Sequence, residues 1–161
     1  MGETFAVGLG EICISKQLDD VLVAYGLGSC LGISMYDPHK NIAGLLHAVL
    51  PKGKCNGEAR HVKYVQCGID ELIRQMEEKG GHRYSFIVKI VGGAHMLTAA
   101  GFSDILKVGE RNMEAAEDHF SQLNMKISSQ EVGGNRGRTV RLYVSDGRFT
   151  IRELGGGERE I

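Results

Sequence analysis

The chain of 161 residues is 42% hydrophobic and carries 19 basic against 20 acidic side chains, for a net charge of -1. That length suits one domain with a real core and is short for two, so a single domain over residues 1–161 is expected. Acids and bases are mixed along the chain without a basic stripe, which argues against a nucleic acid as partner.

The opening "MGETFAVGLGEICIS" has neither a positive n-region nor a long apolar run, and no Ser or Thr at the sixth position that myristoylation wants. No signal peptide and no membrane insertion are expected, and the protein is expected in the cytoplasm. "FAVGL", "EICIS", "DVLVAYG", "CLGISMYD" and "IAGLLHAVLP" read as successive strands, since β-branched and apolar residues recur between turn signals such as "DD" and "DPHKN". "EARHVKYVQCGIDELIRQMEEKGG" places Val62, Val65, Ile69, Leu72, Ile73 and Met76 at helical spacing, with Gly80-Gly81 as the stop.

"SFIVKIVGGAHM" reads as a buried strand ending in a double-glycine turn. "RNMEAAEDHFSQL" reads as a second helix with Met113, Ala116, Phe120 and Leu123 inward. "KISSQEVGG", "RTVRLYVS" and "RFTIRELGGG" return to strands, the last two joined through Asp146-Gly147, a strong hairpin signal. Hairpins together with two long helices indicate an α+β or mixed-sheet domain.

The stretch "YGLGSCLG", residues 25–32, sets a cysteine among glycines. Gly26, Gly28 and Gly32 do not give the dinucleotide spacing, and the segment "LGISMYD" reads as strand rather than helix, so phosphate binding is a weak reading. A reactive thiol needs a base, and His47 in "GLLHAVLP" is the best placed. With the "DPHKN" turn centred on residues 38–39, a hairpin makes Cys30 and His47 cross-strand neighbours. Spacing alone leaves two readings open, an activated thiol or two side chains that fill a core.

Cys13, Cys30, Cys55 and Cys67 lack a C-x-x-C pair or close histidines, so free thiols are expected rather than a zinc site or disulfides. His39, His61, His82, His95 and His119 fall near turns, on helix surfaces or in loops, where solvation is the default. Ser29 reads as a turn residue, because no strand-to-helix elbow comes after it. Arg136 and Arg138 suit either solvent or an acidic partner surface.

In order and spacing, "YGLGSCLGISMYDP", "AGLLHAVLP", "KIVGGAHM", "ERNMEAAEDHF" and "EVGGNRGRTVRLYVSDG" resemble the CheD family of chemoreceptor glutamine deamidases, from about Phe5 to about Leu154. The resemblance implies packed mixed β-sheets flanked by two long helices, similar to the catalytic domain of deamidating toxins. It also implies methyl-accepting chemoreceptor cytoplasmic helices as substrate, conversion of selected glutamines to glutamates, and the CheC phosphatase as a possible partner. The family's nucleophile falls on Cys30 and its base on His47.

The family's third catalytic position, a threonine, falls on Ala24. A carbonyl that accepts from the imidazole N–H fixes the tautomer whatever the side chain, so the Ala24 main chain is expected to take that role. The expected chemistry is attack of Cys30 on the glutamine carbonyl, an oxyanion held by amides of the Gly28-Ser29-Cys30 turn, and a thioester that water hydrolyses. Neither a metal nor an organic cofactor is expected. The alternative is a weakly active or inactive docking module that regulates receptors or CheC.

Overall fold

The computed structural model describes residues 2–55, 61–95 and 107–161. Among them, ten strands form two five-stranded sheets. The first sheet has the order β1 (Thr4–Ala6), β3 (Val21–Leu27), β8 (Arg138–Tyr143), β9 (Phe149–Glu153), β10 (Arg159–Glu160). The second has the order β2 (Ile12–Ser15), β5 (Ile42–Ala48), β4 (Leu31–Asp37), β6 (Ile87–Gly92), β7 (Ile127–Val132). Each sheet contains one parallel pair, β1 with β3 and β6 with β7, so both are mixed. With helices α1 (Val65–Glu78) and α2 (Val108–Gln122) the architecture is α+β, as expected.

Two apolar layers hold it together. One lies between the sheets, with Leu22, Leu27, Leu45, Val140 and Phe149 among its members. The other packs Leu31, Ile33, Met35 and Leu46 of the second sheet against Ile69, Leu72, Met76, Ala116 and Phe120 of the helices. The second sheet is therefore covered on both faces, and every residue of β4 and β5 is buried. Ser34 and Asp37 are tolerated there because each is bonded: Ser34 donates to the Lys89 carbonyl, and Asp37 accepts from the amides of His39, Lys40 and His82.

The expected elements all appear, with adjusted ends. A short 3-10 turn, His61–Lys63, precedes α1, and residues 58–60 of the expected helix lie outside the described residues. Asp146-Gly147 closes the β8–β9 hairpin, and β10 is an addition to the sequence reading.

The cysteines differ from expectation. Cys13 and Cys30 are free, but Cys55 and Cys67 form a disulfide with their Cα atoms 5.4 Å apart. After β5 the chain doubles back, with the amides of Val49 and Leu50 both donating to the Lys63 carbonyl, which brings the loop against the first turn of α1. Spacing along the sequence does not report that return. None of the described helices is long and apolar enough to cross a membrane.

Candidate active site

β4 and β5 form the hairpin that carries Cys30 and His47, but its register differs from the sequence reading. His47 pairs with Gly32 and Ala48 with Leu31, so Cys30 sits one residue beyond the ladder and diagonal to His47. The loop is Pro38–Asn41, centred one residue further along than expected. The Asp37 carboxylate gathers the amides of His39 and Lys40, and Asn41 takes a φ of 52°. A displacement of two residues keeps the face, because side chains alternate with a period of two. Cys30 accordingly packs against the layer between the sheets, the layer that also holds Ala43 and Leu45 of β5. The diagonal step across an antiparallel pair is one an imidazole can span, but no hydrogen bond joins Nε2 to the Cys30 sulfur in this structure.

The imidazole is held by a segment that sequence reasoning passed over. Its Nδ1 lies 2.9 Å from the Val7 carbonyl, which makes Nδ1 the donor and leaves the Nε2 lone pair free. Nε2 is buried and has no hydrogen-bond partner among the described residues. The main chain of His47 is clasped too, its amide donating to the Glu11 carbonyl and its carbonyl accepting from the Gly10 amide. This corrects the expected role of Ala24, whose carbonyl does not meet the ring. β1 lies parallel on β3 with Ala6 beside Val23, so Val7 is the next residue at the level of Ala24, and it is the Val7 carbonyl that bonds the ring. The Ala24 side chain is buried in the layer between the sheets.

The turn bearing Cys30 begins at a bulge. The β3–β8 register shifts between Ala24 and Leu27, and Gly26 there has a φ of 60°, a left-handed conformation that disfavours other residues. Beyond it, three successive carbonyls are taken by protein donors. Gly28 accepts from the Ala94 amide at 2.9 Å, Ser29 from Asn112 Nδ2 at 2.9 Å, and Cys30 from the Gly93 amide at 3.0 Å. The amides of Ser29 and Cys30 find no acceptor among the described residues, apart from the Cys30 amide facing its own sulfur.

Burial raises the Cys30 thiol pKa above its ordinary value, and the cysteine's own amide works against that rise. Burial lowers the His47 pKa, opposed by the Val7 carbonyl and the Glu11 carboxylate. Both shifts favour a resting pair of neutral thiol and neutral imidazole. Among the described residues, no three His, Cys, Asp or Glu side chains gather in a way that suits a metal ion.

Arg138 is not at the surface. It is 6% exposed and donates to the carbonyls of Gly92 and Gly133, lacing together the two double-glycine loops beside the Cys30 turn. That burial corrects the reading of Arg138 as a contact for a partner, whereas Arg136 is exposed. His119 is also buried and lies 2.6 Å from Asp70. It joins the two helices rather than facing solvent.

A family model described as CheD chemotactic sensory transduction matches residues 49–153. The chain belongs to the CheD family. The chain is 37% identical over 158 residues to a protein of Symbiobacterium thermophilum named probable chemoreceptor glutamine deamidase CheD, covering 97% of this chain and 96% of that one. It is 36% identical over 162 residues to a protein of the same name from Lachnoclostridium phytofermentans, covering all of both. It is 34% identical over 163 residues to the chemoreceptor glutamine deamidase CheD of Halalkalibacterium halodurans, again end to end. The family match begins after His47, but the likeness to these CheD relatives includes the segment with Cys30 and His47.

Proposed function

We propose that this chain deamidates glutamine side chains of methyl-accepting chemoreceptors to glutamate, with Cys30 as nucleophile and His47 as base. The names of its relatives support the substrate class. The observation that carries the roles is the imidazole itself: Nδ1 fixed on the Val7 carbonyl, Nε2 buried with its lone pair unused, on the sheet face shared with a half-buried cysteine.

The neutral resting pair makes proton transfer part of the attack. His47 Nε2 takes the thiol proton as the sulfur adds to the glutamine carbonyl. The oxyanion is met by the amides of Ser29 and Cys30, whose carbonyls are tied elsewhere. The C–N bond breaks, the imidazolium proton leaves with nitrogen as ammonia, and a thioester remains. Water, deprotonated by the same nitrogen, releases glutamate and restores the thiol. These steps use no metal and no organic cofactor.

On this reading the protein works in the cytoplasm on the receptors' cytoplasmic helices, and the CheC phosphatase is a proposed partner. The alternative, a docking module, rests on the missing threonine at position 24. Val7 supplies an orienting acceptor without it.

Alkylation tests the pair in the absence of substrate. Iodoacetamide should modify Cys30 faster than Cys13, and His47→Ala should slow Cys30 by at least about tenfold, because the neutral imidazole takes the thiol proton as the sulfur attacks. An unchanged Cys30 rate in His47→Ala would contradict activation by that imidazole.

A further inference from the structure

The β4–β5 ladder ends at the Leu31–Ala48 pair. Beyond it the strands separate: Cys30 enters the bend, while Val49 and Leu50 turn their amides to Lys63. At this open end a side chain replaces the missing ladder bonds. Asn112 of α2 donates from one nitrogen, Nδ2, to the Ser29 carbonyl at 2.9 Å and the Val49 carbonyl at 3.0 Å. Ser29 precedes the nucleophile, and Val49 lies two residues past the base.

Asn112 is completely buried, and its Oδ1 has no hydrogen-bond partner among the described residues. A buried, unsatisfied carbonyl oxygen is unfavourable for folding, and its helix neighbours Met113, Ala115 and Ala116 are apolar. Packing alone favours an apolar residue of similar size. What an apolar residue lacks is an NH2 group, whose two hydrogens tie two carbonyls at once.

We propose that Asn112 is a positioning residue that fixes the nucleophile turn against the strand of the base, holding Cys30 and His47 in reacting register. This inference rests on the assignment of those two residues as the reacting pair. Without the clamp, the Ser29 carbonyl loses its donor, and the Cys30 turn keeps only its bonds to Gly93 and Ala94. Displacements of about 1 Å at a reacting centre can reduce turnover by about 10²-fold.

The test is a double-mutant cycle on the rate of Cys30 alkylation, using wild type, Asn112→Leu, His47→Ala and the double variant. Leucine is close in size and removes both donors. Cys13 alkylation and circular dichroism monitor the fold, and Asn112→Ala repeats the cycle if the leucine variant does not fold. The expected result is a loss of about tenfold in the wild-type background and less than about twofold in the His47→Ala background, because the clamp acts through the pair. Equal losses in both backgrounds, or none in the first, would overturn the inference. Receptor deamidation separates the two levels of the account. Turnover retained by Cys30→Ala removes the underlying assignment, whereas Cys30→Ala inactive beside a fully active Asn112→Leu removes the role of Asn112 alone.

Discussion

Gly92→Ala perturbs the site from behind, and the geometry sets its magnitude. Gly92 pairs with Leu31 at the end of β6, with a φ of 123°. A Cβ there would lie far inside contact with the Cys30 carbonyl oxygen and 3.2 Å from the Cys30 carbonyl carbon and Leu31 Cα. An ordinary carbon–oxygen approach is about 3.3 Å, so the strands must part by about 1 Å, and the obstacle is main chain that cannot rotate away. Backbone strain of about 1–3 kcal/mol and overpacking of about 1–3 kcal/mol together give a loss of about 2–6 kcal/mol in stability. Because the displaced group is the carbonyl of Cys30, the proposed nucleophile, turnover should fall by about 10²-fold as well.

Gly80→Ala is the matched control. Its φ is 104° and nothing lies within 4 Å of the added Cβ, so it carries strain without the clash. Urea unfolding and receptor deamidation, measured on both variants, separate the two contributions. Equal stability losses, or full activity in Gly92→Ala, would refute the argument that this glycine is required by the approach of Cys30.

Reduction of Cys55–Cys67 should lower stability by about 3 kcal/mol, the chain-entropy value for a loop of this size, as read by urea unfolding with and without dithiothreitol. Without reductant, a maleimide applied to the unfolded protein should label only Cys13 and Cys30; labelling of Cys55 would contradict the pairing. The pH dependence of stability has a definite sign at both residues of the pair. The folded His47 pKa lies below its ordinary 6.5, so its contribution is complete above that pH and is lost as the pH falls below it. The folded Cys30 pKa lies above its ordinary 9.0, so its contribution is complete below that pH and is lost as the pH rises beyond it. Nitrogen NMR should find His47 neutral at pH 7 with the proton on Nδ1; a proton on Nε2 would contradict the bond to Val7.

Strand alternation and helical spacing were legible because they are local. The burial of β4 and β5 on both faces appears as apolar runs, and α1 buries the residues at its expected helical spacing from Val65 onwards. The shared face of Cys30 and His47 was legible for the same reason, since a period of two survives a displacement of two. The register itself was not, because it depends on how the Asp37 carboxylate gathers the turn amides. Val7 and Asn112 were invisible because their bonds join residues 40, 63 and 83 positions apart. Only sheet order and helix packing bring such groups together. Ala24 shows the limit of analogy: the orienting acceptor, Val7, lies just past β1 in a segment that the motif does not contain.

The central claim is covalent deamidation by Cys30, and mass spectrometry of receptor peptides reads it directly. Unmodified receptor cytoplasmic fragments from the same organism are incubated with wild type or with Cys30→Ala, and the gain of about 1 Da that marks glutamine becoming glutamate is tracked at each site. The account predicts conversion of particular glutamines by wild type and a loss of at least about 10³-fold in Cys30→Ala, which still binds the fragment, because nucleophile and base act as a unit. Conversion by wild type no greater than that by Cys30→Ala would contradict it.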